Sequence, residues 1–115
     1  MANEPRNPWE GETLRELASE VIAALEGSGI RYLCAPVTSI PVVAATVLSA
    51  SYLDGCIVRD ADKLHGTRCR IENPPPPGAK VAVVGEGNEE TRDAIAALEQ
   101  AGYEIERVIN SGTLG

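Results

Sequence analysis

The chain contains no phenylalanine, one tryptophan (Trp9), one histidine (His65), one methionine and three tyrosines. Aromatic residues make up 3% of it, against a hydrophobic fraction of 43%. Its core must therefore be built from Val, Ile, Leu and Ala, a bias that suits a buried parallel sheet. Positive charge is also scarce. Ten Lys and Arg stand against 17 Asp and Glu, giving a formal charge of −7. Such a surface repels nucleic acid and anionic membranes, which excludes both as expected partners. Long apolar runs are missing too. The longest, Ile40 to Ala50, contains Pro, Thr and Ser and is too short to span a bilayer. The polar, Pro-rich start from Met1 to Gly11 has no signal-peptide pattern. The three cysteines, Cys34, Cys56 and Cys69, form no CxxC pair. Cys34 and Cys56 lie in apolar, strand-like segments, as small buried hydrophobes of a cytoplasmic protein do. Zinc is not expected, because His65 is the sole imidazole that could join them.

What is present alternates between helical and strand patterns over a length that fits one domain. Residues 1–11 form an N-terminal arm in which Trp9 is the candidate for docking, and residues 12–115 form the domain. Thr13 and Glu16 have capping-box spacing. Leu14, Leu17, Val21, Ile22 and Leu25 then recur on one helical face until Gly27 and Gly29. IRYLCA (30–35) reads as a strand, Pro36 to Ser39 as a turn, and Pro41 opens a helix to about Ala50. Asp54-Gly55 turns into a strand over 56–59. Residues 60–78 are an excursion with a short strand at 68–72 and a stiff return through four prolines, 74–77. KVAVV (80–84) is a buried strand. Asn88 is placed to cap a helix whose first turn holds Glu89 and Glu90, and Gly102 ends that helix before a last strand, YEIERVI (103–109). This order implies a parallel sheet with right-handed crossovers. Ligands bind such sheets beyond the carboxyl ends of the strands, where the segments 36–39, 59–67 and 85–92 meet.

The decapeptide Val58-Arg-Asp-Ala-Asp-Lys-Leu-His-Gly-Thr67 resembles the flexible catalytic loop of type I phosphoribosyltransferases of the orotate phosphoribosyltransferase group. CAPVTSIPVVAA resembles that family's diphosphate-binding loop and following helix. RCRIEN, the proline return, KVAVV and DAIAALEQAG-YEIERVI keep its order, so that the resemblance covers about residues 13–110. It implies a Rossmann-like sheet with a flap or hairpin insertion. It also implies that Arg59 and Lys63 neutralise a diphosphate, that His65 adds a hydrogen bond, and that Thr38 and Ser39 line the diphosphate loop. In an active enzyme Lys63 and His65 would be the catalytic residues, with Mg2+ accompanying phosphoribosyl diphosphate as substrate. Glu86, Asn88 and Thr91 occupy the ribose and 5′-phosphate turn.

The sequence also departs from that family. The phosphoribosyl-diphosphate loop has two adjacent acids followed by a Thr-Thr-Gly-Gly-Ser-like cradle, whereas this chain has Gly85-Glu-Gly-Asn-Glu-Glu-Thr-Arg92. One acid is missing and, aligned on Leu98 and Gly102, the loop is a few residues short. Glu86, Glu89, Glu90 and Asp93 put negative charge where a helix N-terminus would attract a phosphate. Each carboxylate within about 4–6 Å of a phosphate costs on the order of 1 kcal/mol. Asp60 stands where the family has a second basic residue, the diphosphate-loop glycines are replaced by Thr38 and Ser39, and residues 1–11 supply no hood over a base. Alternatives stay open for each retained residue. Arg59, Lys63 and His65 bind diphosphate or are solvated, Glu86 holds ribose or is a solvated carboxylate beside the helix start, and Thr38 and Ser39 touch ligand or cap a turn.

The expected protein is a degenerate, non-catalytic relative that acts as a binding or regulatory module, without a cofactor, for an anionic small molecule, and as a homodimer. One alternative is an active transferase that moves phosphoribosyl to a small nitrogen base. Another is a structural subunit of a larger assembly.

Overall fold

A computed structural model describes residues 10–60 and 70–110. Trp9, Lys63, His65 and Cys69 lie outside the described residues. The elements in chain order are α1 (Gly11–Leu25), β1 (Tyr32–Pro36), a 3-10 turn (Val37–Ser39), α2 (Ile40–Ser49), β2 (Asp54–Val58), β3 (Ile71–Glu72), β4 (Lys80–Gly85), α3 (Glu89–Gln100) and β5 (Glu104–Asn110). The sheet order is β3-β2-β1-β4-β5. β2, β1, β4 and β5 run parallel, while β3 pairs antiparallel with β2, Ile71 opposite Val58 and Glu72 opposite Ile57. The sheet is thus mixed. The return leg of the 60–78 excursion joins it as an edge strand of two residues, Ile71 and Glu72, within the segment expected at 68–72.

The two faces of the sheet explain the aliphatic composition. Leu33, Ala35, Ala82 and Val84 point to one side, against Leu17, Val21 and Leu25 of α1 and Val42 and Val43 of α2. Cys34, Cys56, Val58, Val81 and Val83 point to the other, against Ala94, Ala97 and Leu98 of α3. Alternate residues of a strand face opposite sides. A central strand covered on both sides must therefore be apolar throughout, as Val81 to Val84 is at 0% exposure. Cys34 and Cys56 are register partners on β1 and β2, and both thiols are free and buried. The neighbouring Cys56 sulfur, with burial, pushes the Cys34 thiol well above its ordinary range.

The first helix starts earlier than its capping-box spacing suggests. Thr13 lies inside α1, and the N-cap is Glu10, which makes no side-chain cap bond. The apolar stripe begins at Leu14, whose amide needs an acceptor four residues back, and the Glu10 carbonyl supplies it at 2.9 Å. The end of α3 is as the sequence indicates. Tyr103 N–H bonds to Leu98 O and Gly102 N–H to Glu99 O, a Schellman arrangement with Gly102 at φ 95°. The proline return is anchored at both ends. Asn73 Nδ2 donates to Gly55 O at 2.7 Å, and Tyr103 Oη donates to Pro75 O at 2.7 Å. β5 breaks simple alternation. A register shift opposite Val81/Ala82 leaves Ile105 on the α3 side and Ile109 on the α1/α2 side.

Candidate functional site

β1 is followed by α2 on one face of the sheet, and its neighbour β4 by α3 on the other. Connections leaving two adjacent parallel strands in opposite directions open a crevice at their carboxyl ends. The 3-10 turn Val37–Ser39 lies beside β1 and β4 there. The turn 86–88 and the end of β2 complete the rim. A shallow cavity of about 290 Å³ at this end is lined by Val37, Arg59, Asp60 and Glu90. The three segments singled out from the sequence therefore converge, as far as they are described.

The turn after β4 is closed by its own side chains. Asn88 takes extended backbone (φ −97°, ψ −172°) and its Oδ1 accepts from Thr91 N at 3.0 Å and from Thr91 Oγ1 at 2.9 Å. Thr91 Oγ1 in turn accepts from the Glu86 amide at 3.1 Å. The Glu86 and Thr91 amides, two donors of the kind a bound phosphate uses at a helix start, are thus engaged within the protein. Thr91 is 2% exposed and packs directly on Gly85. A Cβ built on Gly85 would stand 2.4 Å from Thr91 Oγ1 and 2.7 Å from its Cγ2, so the strand end fits beneath the helix only as glycine. Arg92 Nη1 donates to Gly87 O at 3.3 Å and braces the turn. Glu86 and Glu89 are exposed and Glu90 is half-buried.

Arg59 continues β2 into the excursion. Its amide donates to Arg70 O at 2.7 Å, and its guanidinium pairs with Glu72 across the β2–β3 hairpin. Arg70, which the sequence presents only as part of a short strand, is the residue that ties this corner together. Its Nε donates to Arg59 O at 2.9 Å, and its guanidinium pairs with Asp93 on α3. No local sequence signal marks this contact, because it depends on β3 pairing with β2. Thr38 is exposed. Ser39 is buried and holds the N-cap position of α2 without a side-chain cap bond, contrary to a turn-capping role. Its φ −102° and ψ 12° continue the 3-10 turn into the helix, whereas a capping side chain needs extended backbone. Lys63 and His65 fall outside the described residues, so their place relative to Arg59 is not part of this geometry. Among the described residues no group of three His, Cys, Asp or Glu comes together to hold a metal, and no helix is long and apolar enough to cross a membrane.

This architecture, a five-stranded sheet with a hairpin edge and a strand-to-helix turn at the crevice, is a phosphoribosyltransferase-like core fold. No family model and no curated relative matches the chain. Solved structures do. The orotate phosphoribosyltransferase of Mycobacterium tuberculosis superposes with a TM-score of 0.72 at 19% identity, over 88% of this chain and 61% of that one. A phosphoribosyltransferase from Corynebacterium diphtheriae gives 0.68 at 22% identity, over 88% and 62%. The adenine phosphoribosyltransferase of Thermoanaerobacter pseudethanolicus gives 0.64 at 18%, over 86% and 67%. At these identities the likeness is one of fold, and the chain spans less than two thirds of the first two of these proteins.

Proposed function

We propose that the protein is a phosphoribosyltransferase-fold binding module that does not carry out phosphoribosyl transfer. The observation that carries this is the closed turn. Thr91 and Asn88 engage the Glu86 and Thr91 amides, Thr91 fills the space over Gly85, and Glu86, Glu89 and Glu90 place carboxylates around the helix start. A 5′-phosphate would have to break those bonds and enter against like charge. The ligand we assign to the neighbouring cavity is an anionic small molecule that meets Arg59 rather than the turn. Arg59 is half-exposed there despite its pairing with Glu72, so it can turn to an incoming anion.

The same Arg59 favours a second reading, an active transferase in which Arg59, Lys63 and His65 receive diphosphate from phosphoribosyl diphosphate and Mg2+. A diphosphate-release assay over a panel of purine, pyrimidine and pyridine bases separates the two. A binding module releases no diphosphate above the uncatalysed background. Release that disappears in Lys63→Ala would establish the transferase.

A further inference from the structure

Two cysteines face each other inside the sheet and take no part in the candidate site. Cys34 of β1 and Cys56 of β2 are register partners, and both thiols are free. Their side chains point to the same side, into the α3 layer with Val83, Ala94, Ala97 and Leu98. Cys34 is 0% exposed and Cys56 1%. Neighbouring strands lie about 4.8 Å apart. A disulfide takes Cα atoms about 4.4–6.8 Å apart whose Cβ vectors do not diverge, so this pair can be joined without moving the backbone far. The thiols already touch. The Cys34 S–H donates to the Cys56 sulfur, which pushes Cys34 up and Cys56 down from the ordinary thiol range.

We propose that Cys34 and Cys56 form a reversible disulfide, closed by hydrogen peroxide and reopened by a dithiol. The step is a two-electron exchange. The Cys56 sulfur, which accepts the Cys34 hydrogen bond, gives up its proton and attacks one peroxide oxygen. The O–O bond breaks, the other oxygen leaves as water, and Cys56 becomes a sulfenic acid. The Cys34 sulfur then attacks the Cys56 sulfur. An S–S bond forms, the S–O bond breaks, and the hydroxyl leaves with the Cys34 proton as a second water. Two thiols are oxidised to one disulfide and one peroxide is reduced to two waters. The surroundings favour this product over the alternatives. Among the described residues no third His, Cys, Asp or Glu joins the pair to complete a metal site. A disulfide also brings no charge into the apolar layer, whereas a lasting thiolate would. The cover over the sulfurs is thin. It includes the small Ala94 and Ala97, and Tyr103, whose ring lies near both cysteines and whose hydroxyl bonds to Pro75 O in the proline return. Hydrogen peroxide is little larger than water and needs only a local opening of that return to enter. The bond lies two residues below the rim of the crevice. Pro36 stands opposite Val58 in register, and Val37 and Arg59 follow them into the cavity wall. Closing it fixes β1 against β2 beneath the candidate site, whatever that site binds.

Peptide mass spectrometry of the full wild-type chain, treated with hydrogen peroxide and then alkylated in urea, tests the bond without relying on any variant to fold. No Lys or Arg stands between Tyr32 and Val58, so trypsin releases both cysteines in one peptide, Tyr32 to Arg59, separate from Cys69. The expected result is that this peptide loses two hydrogens and takes up no alkylating reagent, and that dithiothreitol restores both thiols. The oxidised protein should also unfold at a urea concentration higher by about 1 M or more, because the bond closes a loop in the unfolded chain. That shift should vanish in Cys34→Ser and in Cys56→Ser. A peptide that keeps both thiols, that is linked to Cys69 instead, or that gains sulfinic or sulfonic acid without an internal bond, in a chain shown to be folded by circular dichroism, would overturn the proposal.

Discussion

Replacing Gly85 with alanine adds one methyl group to the tightest point of the turn after β4. The new Cβ would lie 2.4 Å from Thr91 Oγ1, 2.7 Å from Cγ2 and 3.0 Å from Cβ. Gly85 does not have a positive φ, so the backbone accepts alanine and the effect is steric. Thr91 cannot swing away freely. It is 2% exposed, sits in the first turn of α3, and its hydroxyl is bonded both to Asn88 Oδ1 and to the Glu86 amide. Overpacking of this kind costs about 1–3 kcal/mol. Losing the Glu86 bond adds about 1 kcal/mol, because one hydrogen bond contributes roughly that much net. The expected loss is therefore about 2–4 kcal/mol, read from the urea midpoint by far-ultraviolet circular dichroism. Thr91→Ala alone should cost about 1–2 kcal/mol through the same bonds. The double variant should be more stable than the sum of the two predicts by at least about 0.5 kcal/mol, since each change relieves part of the other's damage. A Gly85→Ala variant as stable as wild type, or strict additivity, would refute the contact between Thr91 and the strand end.

Further outcomes follow from other parts of the structure. Asn88→Ala removes the side-chain cap of α3 and should destabilise the fold by about 1 kcal/mol, measured by urea titration, with Asn88→Asp retaining most of the stability. Arg70→Ala should change global stability by less than about 1 kcal/mol, because both members of its ion pair with Asp93 reach solvent, the Asp93 side chain being half-exposed, yet should speed hydrogen exchange at the Arg59 amide, which bonds to Arg70 O. Cys34 and Cys56 should resist maleimide at neutral pH until the protein unfolds, as peptide mass spectrometry can show. Both are buried, and the Cys34 thiol is pushed up by its Cys56 neighbour and by burial.

The sequence makes local chemistry plain and leaves contacts made by distant pairing hidden. Val81 to Val84 reads as a covered strand because both of its faces are apolar, and it is one. Asn88 before two glutamates reads as a cap, and its side chain does accept from the Thr91 amide. Gly102 reads as a helix stop and takes the positive φ that a Schellman end needs. Thr13 with Glu16 also has the spacing of a start, but the hydrogen-bond demand of Leu14 moved the start to Glu10. Ser39 suits an N-cap by residue type. The 3-10 turn before it fixed the wrong backbone angles for that role. The direction of β3 and the Arg70–Asp93 tie had no local signature. Both arise when a short edge strand folds back on β2 and brings residues far apart in the chain together. At the candidate site, the acidity of Gly85 to Arg92 was legible residue by residue. Its closure by Thr91 over Gly85 was not, because it depends on how α3 seats on the end of β4.

Calorimetric titration with phosphoribosyl diphosphate and Mg2+ tests the closed, acidic turn most directly. The structure predicts no saturable heat up to millimolar ligand, for the wild type at low ionic strength, where any electrostatic attraction would be strongest. Saturable binding at micromolar ligand would contradict it, and would mean that the turn opens into a phosphate cradle despite its own hydrogen bonds.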